Sequence, residues 1–145
     1  MIIGLDIGGT KTAVVTGNPR GEILSRRQFM TVPERGFDKV FEELTAAIGR
    51  TLAETPEPVK AISVSIGGPL DILKGIVNSP PNLPGWNNIP LKELLITKFS
   101  LPVFVEHDGN AGALAEFYFG AGKGFRNIVF LTMGTGLGAG MILDG

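Results

Sequence analysis

Short runs of apolar residues near the N-terminus predict three β-strands. The runs cover residues 2–6, 12–16 and 22–29, and glycine-rich segments separate them. Residues 17–21, Gly-Asn-Pro-Arg-Gly, are typical of a turn between the last two runs. The three strands are therefore predicted to form an antiparallel meander.

A helical repeat of apolar residues follows, from residue 36 to about residue 54. Pro56 and Pro58 come just after the repeat and stop the helix. One face of the helix is expected to pack on the sheet. The apolar positions of that face are Phe37, Val40, Phe41, Leu44, Ile48 and Leu52.

The rest of the chain continues to alternate strands with helices. Residues 59–66 and 103–106 are predicted strands, Pro90 begins a short helix, and Asp108 begins a helix that ends by Gly122. This order predicts an α/β lobe in which helices flank a mixed sheet. The inner face of the last helix is predicted to consist of Ala111, Leu114, Ala115 and Tyr118.

After Gly124 the strand pattern starts again at residues 127–131, and a second glycine hairpin follows. We therefore expect residues 1–122 to form one lobe and residues 123–145 to be the first strands of a second, truncated lobe. Two strands are not stable by themselves. This remnant must lie against the first lobe, a partner chain, or both.

Two glycine-rich hairpins, at residues 3–15 and 130–143, can present backbone N–H groups to a polyphosphate because no bulky side chain is in the way. Taken alone, each turn would serve equally well as an ordinary primed hairpin turn. The first turn also has a carboxylate that can hold a hydrated Mg²⁺, and a hydroxyl and an ammonium that can face phosphate oxygens. The carboxylate is that of Asp6, the hydroxyl that of Thr10 and the ammonium that of Lys11. Together the two hairpins predict phosphoryl transfer.

Composition excludes several classes of protein. The chain has 145 residues, 43% of them hydrophobic, and a net charge of −1, with no cluster of basic residues beyond Arg26 and Arg27. A nucleic-acid surface is therefore not expected. Without cysteine there is no disulfide framework and no thiolate zinc site. No apolar run approaches 18 residues, so we expect a soluble, cytoplasmic protein that does not contact a membrane.

Residues 67–91 form a loop-rich segment that follows a predicted buried strand, where ligands often bind in α/β sheets. Gly68 allows the backbone to approach a ligand, and asparagines such as Asn82 offer amides that both donate and accept hydrogen bonds. For Asn87 and Asn88 the favoured role is that of turn residues. Trp86 is expected to be a packing anchor, with a platform for a sugar as the alternative.

The second candidate for chemistry is the junction of a strand and a helix at Asp108. Its carboxylate could cap the helix, or it could orient a substrate hydroxyl and accept its proton. The polar residues Glu106, His107 and Asn110 crowd the same junction, which favours the second role. His107 could contact substrate or cap the strand end.

In order and spacing, five motifs resemble the ROK family (repressors, open reading frames and kinases) of the actin-like sugar kinase superfamily. The resemblance covers the whole chain, and five ordered motifs are far more specific than any single one. They are LDIGGTK at 5–11, NSPPNLPGW at 78–86, EHDGNAGALAE at 106–116, FGAGKG at 119–124 and LTMGTGLGAG at 131–140.

The resemblance implies a ribonuclease H-like (actin-like ATPase) fold and an ATP-dependent kinase that acts on a hexose or an amino sugar. It implies that ATP and Mg²⁺ bind at the two hairpins and that Asp108 is the catalytic base. The residues implied to contact the nucleotide or its metal are Asp6, Gly8, Gly9, Thr10, Lys11, Thr132, Gly134, Thr135 and Gly136. Those implied to contact the sugar are Gly68, Asn82, His107 and Asp108.

The chain departs from the family pattern in two ways. Family kinases commonly carry Asn immediately before the catalytic Asp, where this chain has His107, so the identity of the sugar stays open. The chain also resembles only the N-terminal portion of family members. We therefore expect the 145 residues alone to be inactive and a longer parent protein to be the active homo-oligomer.

A sugar-sensing domain of a ROK transcriptional regulator is the alternative function. The resemblance implies that such regulators bind DNA through a winged helix ahead of the first motif, and here Met1 precedes the first predicted strand by one residue. A noncatalytic sugar-binding lobe is a third option. The sequence favours the kinase, because Asp6, Lys11 and Asp108 are the groups that catalysis needs.

Overall fold

The computed structural model describes residues 1–133 and 136–145. Strands and helices alternate as expected, with a short 3₁₀ turn, Pro33–Arg35, before the first helix. The elements are β1 (Ile2–Ile7), β2 (Lys11–Gly17), β3 (Ile23–Met30), α1 (Phe37–Glu54), β4 (Ala61–Ile66), β5 (Leu70–Asp71), β6 (Ile76–Val77), α2 (Leu91–Phe99), β7 (Val103–His107), α3 (Asp108–Phe119), β8 (Ile128–Met133) and β9 (Leu137–Ile142).

The main sheet has five strands in the order β3-β2-β1-β4-β7. β1 pairs antiparallel with β2 and β2 antiparallel with β3, so the predicted meander is confirmed. β4 adds to the other side of β1 in parallel. The sheet is therefore mixed, as the α/β prediction requires.

The core forms where α1 covers one face of this sheet. Alternate residues of β1 are buried, among them Ile3 and Leu5, and they share one cluster with Leu44 and Ile48 of α1. The helical repeat in the sequence thus identified the packing face of α1 correctly. Burial of such aliphatic side chains contributes about 1.5–3 kcal/mol each relative to exposure.

Trp86 is a packing residue. It is fully buried, and its ring meets Phe37 edge-on, with the ring centroids 5.0 Å apart. Its indole N–H finds no hydrogen-bond partner among the residues that the structure describes. A buried ring held in this way offers no face to a sugar.

The chain divides into two compact units, Met1–Glu106 and His107–Gly145. α3 belongs to the second unit because it packs on the β8–β9 hairpin. A side chain on Gly112 would overlap the ring of Phe130. The expected boundary between residues 122 and 123 concerns the lobes of a longer protein and stays a prediction.

The predicted inner face of α3 is wrong. Leu114 and Tyr118 are 40% and 58% exposed, whereas Gly109 and Ala113 are buried. The helix approaches β9 so closely at Gly109 that a β-carbon there would overlap the Ala139 carbonyl oxygen. Large apolar residues are therefore excluded from this face rather than attracted to it.

The β8–β9 hairpin presents apolar side chains to solvent on its other face. Directly paired residues of the two strands, such as Val129 and Met141, are both exposed there. Among the described residues, no helix is long and apolar enough to cross a membrane. The exposed apolar residues of this hairpin face are Val129, Leu131, Met133, Leu137 and Met141.

Candidate active site

The first glycine turn connects β1 to β2 and has free backbone N–H groups. The Gly8 N–H donates to the Lys11 carbonyl at 3.0 Å. The reciprocal bond, from the Lys11 N–H to the Gly8 carbonyl, is absent from the described part of the chain. Within those same residues the N–H groups of Gly9 and Thr10 also reach no backbone carbonyl. Consecutive N–H groups left in this way are able to bind an anion.

This turn is not a primed hairpin turn. Such turns need a positive φ at the first central residue, or at both. Neither Gly9 nor Thr10 has a positive φ. The structure therefore rejects the ordinary interpretation of this glycine pair.

Gly9 is needed for space, because the loop that carries Asn82 packs directly on it. A β-carbon on Gly9 would lie 2.5 Å from the Asn82 carbonyl oxygen and 2.8 Å from the Asn82 β-carbon. The structure thus brings together a residue predicted to hold phosphate and a residue predicted to contact sugar. Asn82 itself is exposed.

Gly68 keeps the same loop in place from the other side. Its φ of +99° is one that glycine adopts without strain, and a β-carbon there would lie 2.5 Å from the β-carbon of Pro80. Nearby, Ser79 donates from its hydroxyl to the side-chain oxygen of Asn87 at 2.7 Å. Asn87 therefore stabilises the loop, as its alternative role as a turn residue predicted.

Asp6 and Lys11 flank the glycine turn at the end of β1 and the start of β2, and both are exposed. In the sheet, Asp6 pairs with Ser65 of β4 and Ala13 of β2. No group of three or more His, Asp or Glu side chains among the described residues could hold a metal. A single carboxylate nevertheless suits Mg²⁺, which keeps several waters and takes other ligands from substrate phosphates.

In the second unit, His107 and Asp108 meet at the start of α3. The Gly109 N–H lies 2.7 Å from Oδ1 of Asp108 and 3.2 Å from Nδ1 of His107. Nδ1 and Oδ1 are 3.1 Å apart. His107, not Asp108, is the N-cap residue, and Asp108 is the first residue of the helix. The Asp108 side chain is 44% exposed, so its carboxylate can reach a ligand.

The second glycine hairpin is part of the same unit as Asp108. Thr132 is half-buried in β8 opposite Gly138, and no atom of the described residues, chain neighbours aside, lies within 4 Å of a β-carbon built on Gly136. Gly134 and Thr135, which the sequence also assigned to nucleotide binding, lie outside the described residues.

Close backbone contact fixes α3 against this hairpin. A β-carbon on Gly109 would overlap the Ala139 carbonyl, and one on Gly140 would overlap the Gly109 carbonyl. Sequence reasoning missed these two glycines. The small residues that recur along α3 and β9 were the available signal, because such a pattern allows two backbones to approach closely.

Sequence reasoning also missed Thr12 and Thr31, which are fully buried beside the first glycine turn. Thr31 donates from its hydroxyl to the Gly8 carbonyl at 2.6 Å. No motif distinguishes Thr31 in the sequence, since threonine at the end of a strand is common.

Comparison with known proteins identifies a matching family and several relatives of this chain. The family model described as "ROK family" matches residues 2–145. A glucokinase of Thermotoga maritima is 39% identical over 146 residues, which cover 99% of this chain and 45% of the relative. A xylose repressor of Caldicellulosiruptor bescii is 32% identical over 99% of this chain and 36% of its own length. The chain thus spans less than half the length of these relatives.

A solved structure resembles this chain over nearly its whole length. It is the ROK family glucokinase from Streptomyces griseus in complex with glucose and AMPPNP, with a TM-score of 0.89 and 36% identity. The similarity covers 99% of this chain and 44% of that one. The fold is therefore that of ROK sugar kinases, the actin-like ATPase fold predicted from the motifs.

Proposed function

Because the chain belongs to the ROK family, we propose that it is the N-terminal part of an ATP-dependent sugar kinase. The longer parent protein transfers the γ-phosphate of ATP to a hydroxyl of a hexose or amino sugar. It works in the cytoplasm as a homo-oligomer. The glucokinase relatives and the glucose and AMPPNP complex of the Streptomyces griseus enzyme support the proposed kinase activity.

The contact between Gly9 and Asn82 is the observation that carries the proposal. Phosphoryl transfer needs the sugar hydroxyl and the γ-phosphate side by side and in line. The turn has free N–H groups and Asn82 beside it has an exposed amide, which supports an anion site next to a polyol site. A protein that bound only a nucleotide would not need the loop of Asn82 at this point.

Each residue has a stated task in this proposal. Gly8, Gly9 and Thr10 bind the phosphates of ATP together with the ammonium of Lys11. The second hairpin, through Thr132, Gly134, Thr135 and Gly136, binds them as well. Gly68 and Asn82 hold the sugar with His107. Asp6 would hold Mg²⁺ through water, and the bound ion would neutralise phosphate charge.

Asp108 orients the attacking hydroxyl and takes its proton. The hydroxyl oxygen forms a bond to the γ-phosphorus, the bond to the bridging oxygen of ADP breaks, and the proton moves to the Asp108 carboxylate late in the reaction. The Gly109 N–H lies 2.7 Å from Oδ1 of Asp108 and so helps to hold the carboxylate that accepts this proton in place.

The similarity to a xylose repressor favours one alternative, a sugar-sensing domain of a regulator. It predicts sugar binding without ADP release. The test is a coupled ADP-release assay on the full-length parent protein with glucose, fructose and N-acetylmannosamine, with Asp108→Asn as the matched control. Sugar-dependent ADP release that Asp108→Asn abolishes supports the kinase. Sugar binding by calorimetry, without ADP release from the wild type, supports the regulator and overturns the kinase.

A further inference from the structure

A relay of two buried hydroxyls ends on the first glycine turn. Thr31 donates its only hydroxyl proton to the Gly8 carbonyl at 2.6 Å. The Thr12 and Thr31 hydroxyl oxygens are 2.9 Å apart. Since the Thr31 proton is already used, Thr12 must be the donor in that pair. Both side chains are fully buried, so water does not compete for these bonds.

This relay ends on the Gly8 carbonyl, which accepts the closing hydrogen bond in an ordinary hairpin. In a closed two-residue turn, the Gly8 carbonyl would accept the Lys11 N–H. That bond is absent from the described residues, and the Thr31 hydroxyl takes its place. The Lys11 N–H is therefore available to a ligand, as are the N–H groups of Gly9 and Thr10.

Thr31 is itself fixed by its backbone. Its N–H donates to the Thr10 carbonyl at 3.0 Å, and its carbonyl accepts from the Arg35 guanidinium at 3.0 Å. Arg35 is held in turn by Glu43 of α1 at 2.8 Å.

The residue after Thr31 is strained. Val32 has φ 45° and ψ 66°, a left-handed conformation that is an outlier for a β-branched residue. Such strain persists only where the surrounding structure over-determines it. The contacts on both sides of Val32 therefore fix the position of the Thr31 hydroxyl.

We propose that Thr31 is a positioning residue, which holds the first glycine turn open so that the Lys11 N–H can bind a phosphate of ATP. The inference rests on the proposed function, because that function supplies the phosphate. Thr31 does not touch substrate and acts through the Gly8 carbonyl. Removal of its hydroxyl lets the turn close on the Lys11 N–H.

The experiment compares three variants of the full-length parent protein. Thr31→Val removes the hydroxyl at nearly constant shape, and Thr31→Ser keeps it. Thr16→Val is the matched control. Thr16 makes the same kind of bond between β2 and β3, to the Ser25 hydroxyl at 2.8 Å, but at the other end of the strands.

We expect Thr31→Val to weaken binding of Mg·AMPPNP by roughly 10- to 100-fold, the value of a hydrogen bond to a charged group. The KM for ATP should rise by a similar factor, with the KM for sugar unchanged. Thr31→Ser and Thr16→Val should both bind AMPPNP like the wild type. If Thr31→Val does not fold, Thr12→Val is the second variant. It removes the donor to Thr31 and should weaken AMPPNP binding by a smaller factor.

Two results would overturn the inference. One is Thr31→Val with unchanged AMPPNP affinity, and the other is an equal loss in Thr16→Val, which would show a general effect on the sheet. A wild type that binds AMPPNP but releases no ADP with any sugar would overturn the proposed function alone. The comparison of AMPPNP affinities would then still decide the role of Thr31.

Discussion

Gly9 and Asn82 pack so closely that a β-carbon on Gly9 would lie 2.5 Å from the Asn82 carbonyl oxygen. The first glycine turn and the loop that carries Asn82 therefore share a boundary with no spare volume. Any side chain at residue 9 must displace one of them. The two substrates would then lose their alignment together rather than separately.

Gly9→Ala should lower kcat of the parent protein by roughly 100-fold, because displacement of reacting groups by about 1 Å has this effect. The KM values for ATP and sugar should both rise, since the turn and the loop share the displacement. Steady-state kinetics measures all three constants. The control is Gly17→Ala, where a β-carbon would meet the Glu22 carbonyl at an ordinary 3.6 Å. Similar kinetics in both variants would contradict the tight boundary.

Gly68→Ala should destabilise the protein and also weaken sugar binding. The positive φ alone costs about 1–2 kcal/mol for a residue with a β-carbon, and contact with Pro80 pushes the Asn82 loop away. Gly85→Ala is the matched control. Gly85 has φ +84°, and among residues 1–133 and 136–145 nothing lies within 4 Å of the added carbon, so Gly85→Ala has only the backbone cost.

The two effects of Gly68→Ala are separated by two measurements. Urea denaturation should show a loss in both variants, larger for Gly68→Ala. Calorimetry with sugar should show weaker binding only for Gly68→Ala. Equal sugar affinity in the two variants would mean that the loop does not contact the sugar.

The contrast between α1 and α3 shows what the sequence could predict. α1 packs through large aliphatic residues, so the spacing of Leu44 and Ile48 identified its buried face. α3 packs through close backbone contact at Gly109, which hydrophobic periodicity does not register. The spacing of apolar residues in a sequence predicts contacts that large side chains make. It does not predict contacts between backbones, which need small residues such as glycine.

In the candidate site, too, the sequence could predict some residues and not others. Asp6, Lys11 and Asp108 are recognisable because their chemistry is in their own side chains. Both the space that Gly9 leaves for Asn82 and the hydrogen bond from Thr31 to Gly8 join residues that are more than 20 positions apart in the sequence. Tertiary contacts of this kind become visible only in the folded chain.

Asp108→Asn should reduce kcat of the parent protein by roughly 10²- to 10⁴-fold, the usual contribution of a general base. Sugar affinity, measured by calorimetry, should change little. The amide oxygen of Asn can still accept the Gly109 N–H, and the helix keeps His107 as its cap. The melting temperature should therefore stay close to that of the wild type. Normal turnover in this variant would remove Asp108 from the mechanism.

His107→Asn should shift the preference among sugars more than it changes the affinity for ATP. A neutral imidazole has one donor and one acceptor, and here Nδ1 faces the Gly109 N–H at 3.2 Å. An amide has two donors, so it can contact a different set of hydroxyls. The measurement is kcat/KM across glucose, mannose, fructose and N-acetylmannosamine.

The control for this variant is His107→Ala. Asn is a good helix cap and Ala is not, so only the Ala variant should lose about 1 kcal/mol of stability. Equal changes in kcat/KM for every sugar in His107→Asn would argue that His107 is only structural.

The 145 residues expressed by themselves should self-associate and should not phosphorylate sugar. They cover less than half the length of the glucokinase relatives, and the exposed apolar face of the β8–β9 hairpin favours contact with a second copy. Leu131→Glu should reduce the mass measured by light scattering. Ile23→Glu on β3 is the control, because Ile23 is 60% exposed and Leu131 58%. An equal effect of the two variants would place the contact elsewhere, and sugar-dependent ADP release at about 1 s⁻¹ or more would show that these residues suffice for catalysis.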